Sequence, residues 1–186
     1  MKRHRDDSGF TLVELLTICV LLGVVLAVLG GIFIGTLRTQ QTVSAVSDSS
    51  NTAQLAARTL DARIRNSSEF QISTPSGTDQ LLVTRSASTG TALTWSCYGW
   101  YYSAANKTLR TTSTADGTKI TAPSATTLAS WTLLASGVTP SASSVFTASG
   151  SQLTVGFDVA AKNSKPTTIQ FTTAKTTGVA GTSTCF

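Results

Sequence analysis

The sequence predicts an α+β protein in which one long N-terminal membrane-spanning helix packs on an antiparallel β-sheet domain. Three observations predict this fold: an apolar run at residues 10–37, a polar stretch with helical periodicity at 38–66, and short alternating segments over 67–186. A chain of 186 residues has room for one globular domain and one extended element. We therefore expect a helix over 10–66, membrane-spanning at 10–37 and amphipathic at 38–66, followed by a β-rich extracytoplasmic domain over 67–186.

The apolar run contains a single charged residue, Glu14. A helix over residues 10–37 would be about 42 Å long, enough to cross a hydrocarbon core that needs roughly 20 residues. Lys2, Arg3 and Arg5 precede the run, and this bias predicts a cytoplasmic N-terminus with the rest of the chain outside. A secretory signal does not fit, because the apolar run is too long and no A-x-A cleavage site follows it.

A carboxylate inside a membrane span is costly and is functional by default. After the basic leader, the order Gly9-Phe10-Thr11-Leu12-Val13-Glu14 resembles the processing site of the type IV pilin-like family. The resemblance implies that a membrane-embedded prepilin peptidase removes residues 1–9 by cleavage after Gly9 and methylates the new amino terminus of Phe10.

The resemblance also implies an assembly mechanism. The ammonium group of Phe10 would meet the Glu14 carboxylate of a neighbouring copy, so that each charge compensates the other in lipid. The implied partners are the peptidase, other pilins or pseudopilins, the inner-membrane assembly platform and the lipid bilayer. The implied location is the bacterial inner membrane and then a periplasmic or cell-surface filament.

Small residues recur every four positions in the span, at Gly23, Ala27, Gly31 and Gly35. Such a face permits close approach of helices, as a filament core of packed spans requires. The alternative is that glycine and alanine are simply common in membrane helices, and the sequence leaves both open. Local unwinding between Gly23 and Gly31 on assembly is a further hypothesis.

Residues 38–66 turn polar but keep a helical rhythm. Ala53, Ala57, Leu60 and Ile64 form one apolar stripe, and Asp61 and Arg65 are spaced to pair. The cap-forming segment 49–51 predicts a bend or a second helix start near residue 50.

Beyond residue 67 the pattern predicts strands in one antiparallel sheet. The strand candidates are Leu81–Val83, Leu93–Tyr102, the neighbourhood of Leu109, the alternating run Leu153–Val159, and Thr167–Thr173 with Ile169 and Phe171 facing the core. Residues 163–166 are predicted to turn the chain. Asp116-Gly117 and Ala105-Asn106 are hairpin-turn candidates.

The strand candidate Leu93–Tyr102 is rich in aromatic residues. Alternation places Trp95, Cys97 and Tyr101 on one face and Tyr98, Trp100 and Tyr102 on the other. One set is expected in the core, and the other either covers the helix or forms an exposed partner-binding surface. The order of helix, Trp/Tyr-rich strand, Leu-Arg strand and WTLLASGV resembles the J-type minor pseudopilins.

The cysteines predict a disulfide in an exported domain, and the scarcity of catalytic residue types argues against an enzyme. In an exported domain Cys97 and Cys185 predict one disulfide, the alternative being two free thiols in a reducing compartment. We expect no catalytic residues, metal or cofactor, because the single histidine, His4, lies in the leader and the carboxylates are spread out. The net charge is +5, but the basic residues are scattered along the sequence, which argues against a nucleic-acid partner.

The leading interpretation is a minor pilin or pseudopilin of a type IV pilus or type II secretion filament. Two alternatives stay open. One is a tip adhesin or DNA-uptake pilin that binds glycan or DNA through exposed aromatic residues such as Trp100 or through its cations. The other is an unprocessed surface protein with a single membrane anchor.

Overall fold

The computed structural model describes residues 11–88, 94–161, 164–176 and 184–186. The elements in these residues are α1 (Leu12–Arg65), β1 (Ser67–Ser73), β2 (Gln80–Ala87), β3 (Trp95–Ser103), β4 (Thr108–Ala115), a 3-10 turn (Leu128–Ser130), β5 (Thr132–Ser136), β6 (Val138–Pro140), β7 (Phe146–Ser149), β8 (Gln152–Val159) and β9 (Thr167–Ala174). The described chain forms two compact units, one ending at Val43 and the other beginning at Ser44.

The long helix has no terminus near residue 50, so the predicted second helix start is wrong. Ser49 is buried, and its hydroxyl donates a hydrogen bond to the carbonyl oxygen of Val46 at 2.9 Å. The same oxygen lies 3.1 Å from the hydroxyl of Thr167. Because this side chain bonds backwards along α1 and across to β9, it does not cap a new helix.

The second unit buries one face of α1. The buried helical residues are Ser49, Ala53, Ala56, Leu60 and Ile64. The predicted stripe is therefore correct except at Ala57, which is half-buried, because Ala56 takes the position against the strands. The predicted pair of Asp61 and Arg65 is present, with 2.8 Å between Oδ1 and Nε.

The strands form two antiparallel sheets, which corrects the expectation of a single sheet. Sheet A is a meander in the order β1-β2-β3-β4-β5. In sheet B, β6 and β7 pair with the two halves of β8, while β9 pairs along the length of β8. The predicted strands are present as β2, β3, β4, β8 and β9, whereas β1 and the short strands β5, β6 and β7 were not expected.

A main core lies between α1, sheet A and sheet B. Leu60 and Ile64 from the helix belong to this core together with residues from both sheets. Its fully buried strand members include Leu82, Trp100, Leu109, Leu153, Val155 and Phe157. The alternation in β8 is confirmed, since Leu153, Val155, Phe157 and Val159 are all buried. Ile169 and Phe171 of β9 are half-buried and pack against this core as predicted.

The amide of Gln80 joins the two sheets. Its Nε2 donates to the carbonyl oxygen of Phe146 at 3.0 Å, and its Oε1 accepts from the backbone N–H groups of Val145 and Phe146 at 2.8 and 2.9 Å. Gln80 is 6% exposed, so these bonds satisfy a buried polar group. No periodic pattern in the sequence indicates this bridge.

The two turn candidates have different outcomes. Ala105-Asn106 lies between β3 and β4, which pair as a hairpin. Asp116-Gly117 also forms a turn, with φ of +87° at Gly117, but residues 116–131 separate β4 from β5. The expectation of a tight hairpin there is wrong, because the segment after the turn instead packs Ile120 against the outer face of sheet A.

Candidate functional site

The first turn of α1 positions Glu14. The hydroxyl of Thr11 accepts a hydrogen bond from the backbone N–H of Glu14 at 3.3 Å, as an N-cap residue does. The carboxylate of Glu14 has no ion-pair partner among the described residues. Thr11 is a positioning residue that we did not identify from the sequence, although the pattern T-x-x-E is the signal of a capping box.

The apolar part of α1 is exposed along its whole length in the isolated chain. Its large apolar side chains from Leu12 to Leu37 are 42% to 80% exposed. Among the described helices α1 alone is long and apolar enough to cross a bilayer. This surface is therefore complete only when lipid or other apolar helices cover it.

The small residues of the span stay helical. Gly23, Ala27, Gly31 and Gly35 all lie within α1, and space is open around the three glycines. The free cysteine, Cys19, is exposed on the same apolar segment. Gly9 and Phe10 lie outside the described residues, so the predicted cleavage point has no structural description here.

The aromatic residues of β3 other than Trp95 divide between two packed faces as the alternation predicts. Trp95 belongs to neither core; it is half-buried, and the guanidinium carbon of Arg85 lies 4.4 Å from the centre of its ring. Tyr98, Trp100 and Tyr102 face the main core and α1. Trp100 is fully buried, so the hypothesis that it forms an exposed ligand-binding surface is wrong. The reason is that sheet A is covered on both faces, which a single strand pattern does not reveal.

A second core covers the outer face of sheet A. It contains Leu81, Val83, Cys97, Tyr101, Ile120 and Cys185, with Leu128, Trp131 and Phe186 packed against it. A Cβ on Gly99 would lie 2.9 Å from Cγ2 of Ile120, so the close packing of this core requires glycine there. The backbone N–H of Ile120 donates to the carbonyl oxygen of Cys185 at 2.8 Å, which ties the segment to the C-terminus.

The predicted disulfide is confirmed. Cys97 and Cys185 are bonded, with Cα atoms 5.5 Å apart, and both are fully buried.

Asp116 lies close enough to form a three-membered cluster with them, which is the geometry of a possible metal site. However, the disulfide leaves no thiolate there, and Asp116 accepts hydrogen bonds from Arg85 at 2.6 and 2.7 Å. This ion pair holds the pKa of Asp116 below its ordinary value.

Comparison with known proteins gives one match. The family model of the prokaryotic N-terminal methylation motif matches residues 4–30. Neither curated proteins nor solved structures gave a match.

The motif and the fold support the same class of protein. A long apolar N-terminal helix on antiparallel sheets is an α+β pilin-like architecture. The matched segment is the prepilin-type motif, with Glu14 inside it, and is consistent with the type IV pilin-like family. The motif supports a processed subunit of the pilin or pseudopilin type that is anchored in the membrane.

Proposed function

We propose that this chain is a minor pilin or pseudopilin, a structural subunit of a type IV pilus or type II secretion filament. The observation that carries the proposal is the methylation motif at residues 4–30, which coincides with the start of the only described helix that can span a membrane. In this proposal prepilin peptidase removes residues 1–9, and the mature chain begins with a methylated Phe10. Residues 10–66 then form the anchoring and docking helix, and residues 67–186 form the extracytoplasmic domain.

Glu14 is the proposed assembly group. Insertion scales give about 2.5–3.5 kcal/mol for a carboxylate at the bilayer centre. Glu14 lies near the end of the span, where the cost is smaller but still favours the approach of an opposite charge. Glu14 has no ion-pair partner among the described residues, which leaves its carboxylate available to a neighbouring copy. The amino terminus of Phe10 in a neighbouring copy is the cation that processing creates.

The small-residue face is the proposed packing surface between spans. Gly23, Ala27, Gly31 and Gly35 lie at helical spacing, and no described side chain lies near the three glycines. In a membrane, such a face gains van der Waals contact that large side chains would prevent. This face supports other pilins or pseudopilins as partners of the span. The assembly platform and the lipid bilayer are proposed from the motif and from the apolar helix.

The decisive experiment combines processing and incorporation. Mass spectrometry of the native chain should find methylated Phe10 at the amino terminus, and an intact Met1 would identify an unprocessed anchor instead. The Glu14→Ala variant should be inserted and cleaved, yet its incorporation into purified filaments should fall more than tenfold.

Asp48→Asn provides the matched control, because it removes an exposed carboxylate from the same helix outside the motif. It should enter filaments normally. Normal incorporation of Glu14→Ala beside efficient cleavage would overturn the charge-pairing mechanism while leaving the processing proposal intact.

A further inference from the structure

A cleft of about 280 Å³ opens between the C-terminal part of α1 and the helix-facing side of sheet A. Two helical residues, Thr59 and Arg63, form one wall. The strand side and the segment before β5 provide Tyr98, Trp100, Thr111, Thr112, Ser113, Ser130 and Thr132. All of these residues belong to the second compact unit. The cleft is therefore built from one cation, two aromatic residues and five serine or threonine residues besides Thr59.

Arg63 is held in place without a negative partner. Its guanidinium carbon lies 4.2 Å from the centre of the Tyr98 ring, and that ring stacks on Trp100 with centres 6.3 Å apart. Arg63 makes no ion pair or hydrogen bond with any residue in the described part of the chain. A stacked guanidinium keeps its N–H groups free at the edge, where they match a carboxylate in a bidentate arrangement.

The other wall of the cleft presents unused hydroxyl groups. Within the described chain, the side chains of Ser113 and Thr132, which lie on the helix-facing side of sheet A, have no hydrogen-bond partner. Each hydroxyl both donates and accepts, so this wall matches a ligand that does both. The indole N–H of Trp100, fully buried beside the cleft, also has no partner, which is uncommon for a buried polar group.

We propose that this cleft binds an acidic sugar residue, with its carboxylate on Arg63 and its ring hydroxyls on the wall formed by Ser113 and Thr132. An acidic protein side chain fits less well, because a carboxylate only accepts hydrogen bonds and would leave the accepting capacity of the wall unused. The volume is slightly below the range of about 300–1,000 Å³ typical of pockets for drug-sized ligands, so it suits a single monosaccharide. This ligand-binding role goes beyond filament assembly and does not depend on it.

The test uses the full chain in a detergent without a sugar headgroup, titrated with glucuronate, glucose, acetate and a short acidic peptide. Saturation-transfer NMR and calorimetry should show saturable glucuronate binding in the millimolar range, at least tenfold tighter than that of glucose, acetate or the peptide. Arg63→Gln should weaken glucuronate binding at least tenfold. Arg63→Lys keeps the positive charge but loses the bidentate N–H arrangement of the guanidinium. Its affinity for glucuronate should therefore lie between those of the parent chain and Arg63→Gln.

Arg58→Gln is the matched control, since it removes a cation from the same helix that lines a different groove. It should bind glucuronate as the parent chain does. Absence of saturable glucuronate binding, or equal binding by the Arg63→Gln variant shown to be folded by its tryptophan fluorescence, would overturn the proposal. Equal affinity for acetate, or a higher affinity for the acidic peptide, would also overturn it, because the site would then recognise a carboxylate without the sugar.

Discussion

The two halves of α1 carry similar apolar side chains in opposite environments. Leu12 at the start of the helix is 80% exposed, whereas Leu60 near its end is completely buried against both sheets. Both halves are helical, so backbone conformation does not distinguish them. The difference lies in what covers the side chains: the second unit provides its own cover, and the first needs lipid or other subunits.

This difference separates the determinants of assembly from those of folding. Up to Val43, the large apolar side chains are exposed, so a substitution there changes a surface and not a packed core. From Ser44 onwards, a substitution of a buried residue changes a packed core or removes the disulfide. The three tryptophans, Trp95, Trp100 and Trp131, all lie in the second unit, so their fluorescence in denaturant reports the free energy of unfolding of that unit alone.

The disulfide should give the largest stability effect in the second unit. It closes a loop with a sequence separation of 88, for which the loop-entropy relation gives about 4–5 kcal/mol. Replacing both Cys97 and Cys185 by serine should therefore lower the free energy of unfolding by about that amount. Denaturation of the full chain in detergent, followed by tryptophan fluorescence, measures the loss.

Cys19→Ser is the matched control, because Cys19 is a free cysteine on the exposed apolar segment. It should leave the unfolding of the second unit unchanged. If the double serine variant lost less than about 1 kcal/mol, the second core would hold the C-terminus without the covalent bond, and the entropic account would be wrong.

Two leucines of α1 provide the next contrast. Leu60→Ala should cost about 2–5 kcal/mol, because it opens a cavity in the main core. Leu55→Ala, five positions earlier and 64% exposed, should change stability by less than about 0.5 kcal/mol. Denaturant midpoints of both variants in the same detergent give the comparison. Equal losses would mean that α1 contributes through helix stability rather than through packing.

Much of the fold was predictable because its signals are local. The apolar span, the alternating run of β8 and the Glu14 motif each depend on spacing within a few residues. The alternation in β3 correctly separated Tyr98, Trp100 and Tyr102 from Cys97 and Tyr101. Even the disulfide followed from counting cysteines in an exported domain.

The remaining features depend on contacts between distant segments. The Gln80 amide bonds to residues more than sixty positions away, and the second core forms only when residues 116–131 and the C-terminus fold over sheet A. Strand periodicity shows two faces but does not show what covers each one. For that reason the burial of Trp100 and the cleft beside Arg63 were not predictable from sequence.

The smallest expected effect is a pH dependence in the second core. Burial, and then the hydrogen bond from its hydroxyl to Asp79 at 2.6 Å, raise the pKa of Tyr101 to about 12 from 10.0. Between these values the unfolded chain has lost the phenolic proton while the native chain retains it. Stability from this group is therefore complete below about pH 10 and decreases as pH rises towards about 12, by at most about 1.4 kcal/mol per pH unit.

Denaturant unfolding at a series of pH values from about 9 to about 11 tests this linkage. Tyr101→Phe removes the titrating proton and should flatten the dependence of the free energy of unfolding on pH. A smaller slope should remain from Tyr102, because burial also raises the pKa of that residue. The same variant loses the bond to Asp79, which lowers stability equally at all pH values and so does not affect the slope. If the slope is unchanged in Tyr101→Phe, the loss of stability at alkaline pH comes from other groups. A flattened slope would show that the stability of the second core, unlike that of the exposed span, depends on polar contacts within the described chain.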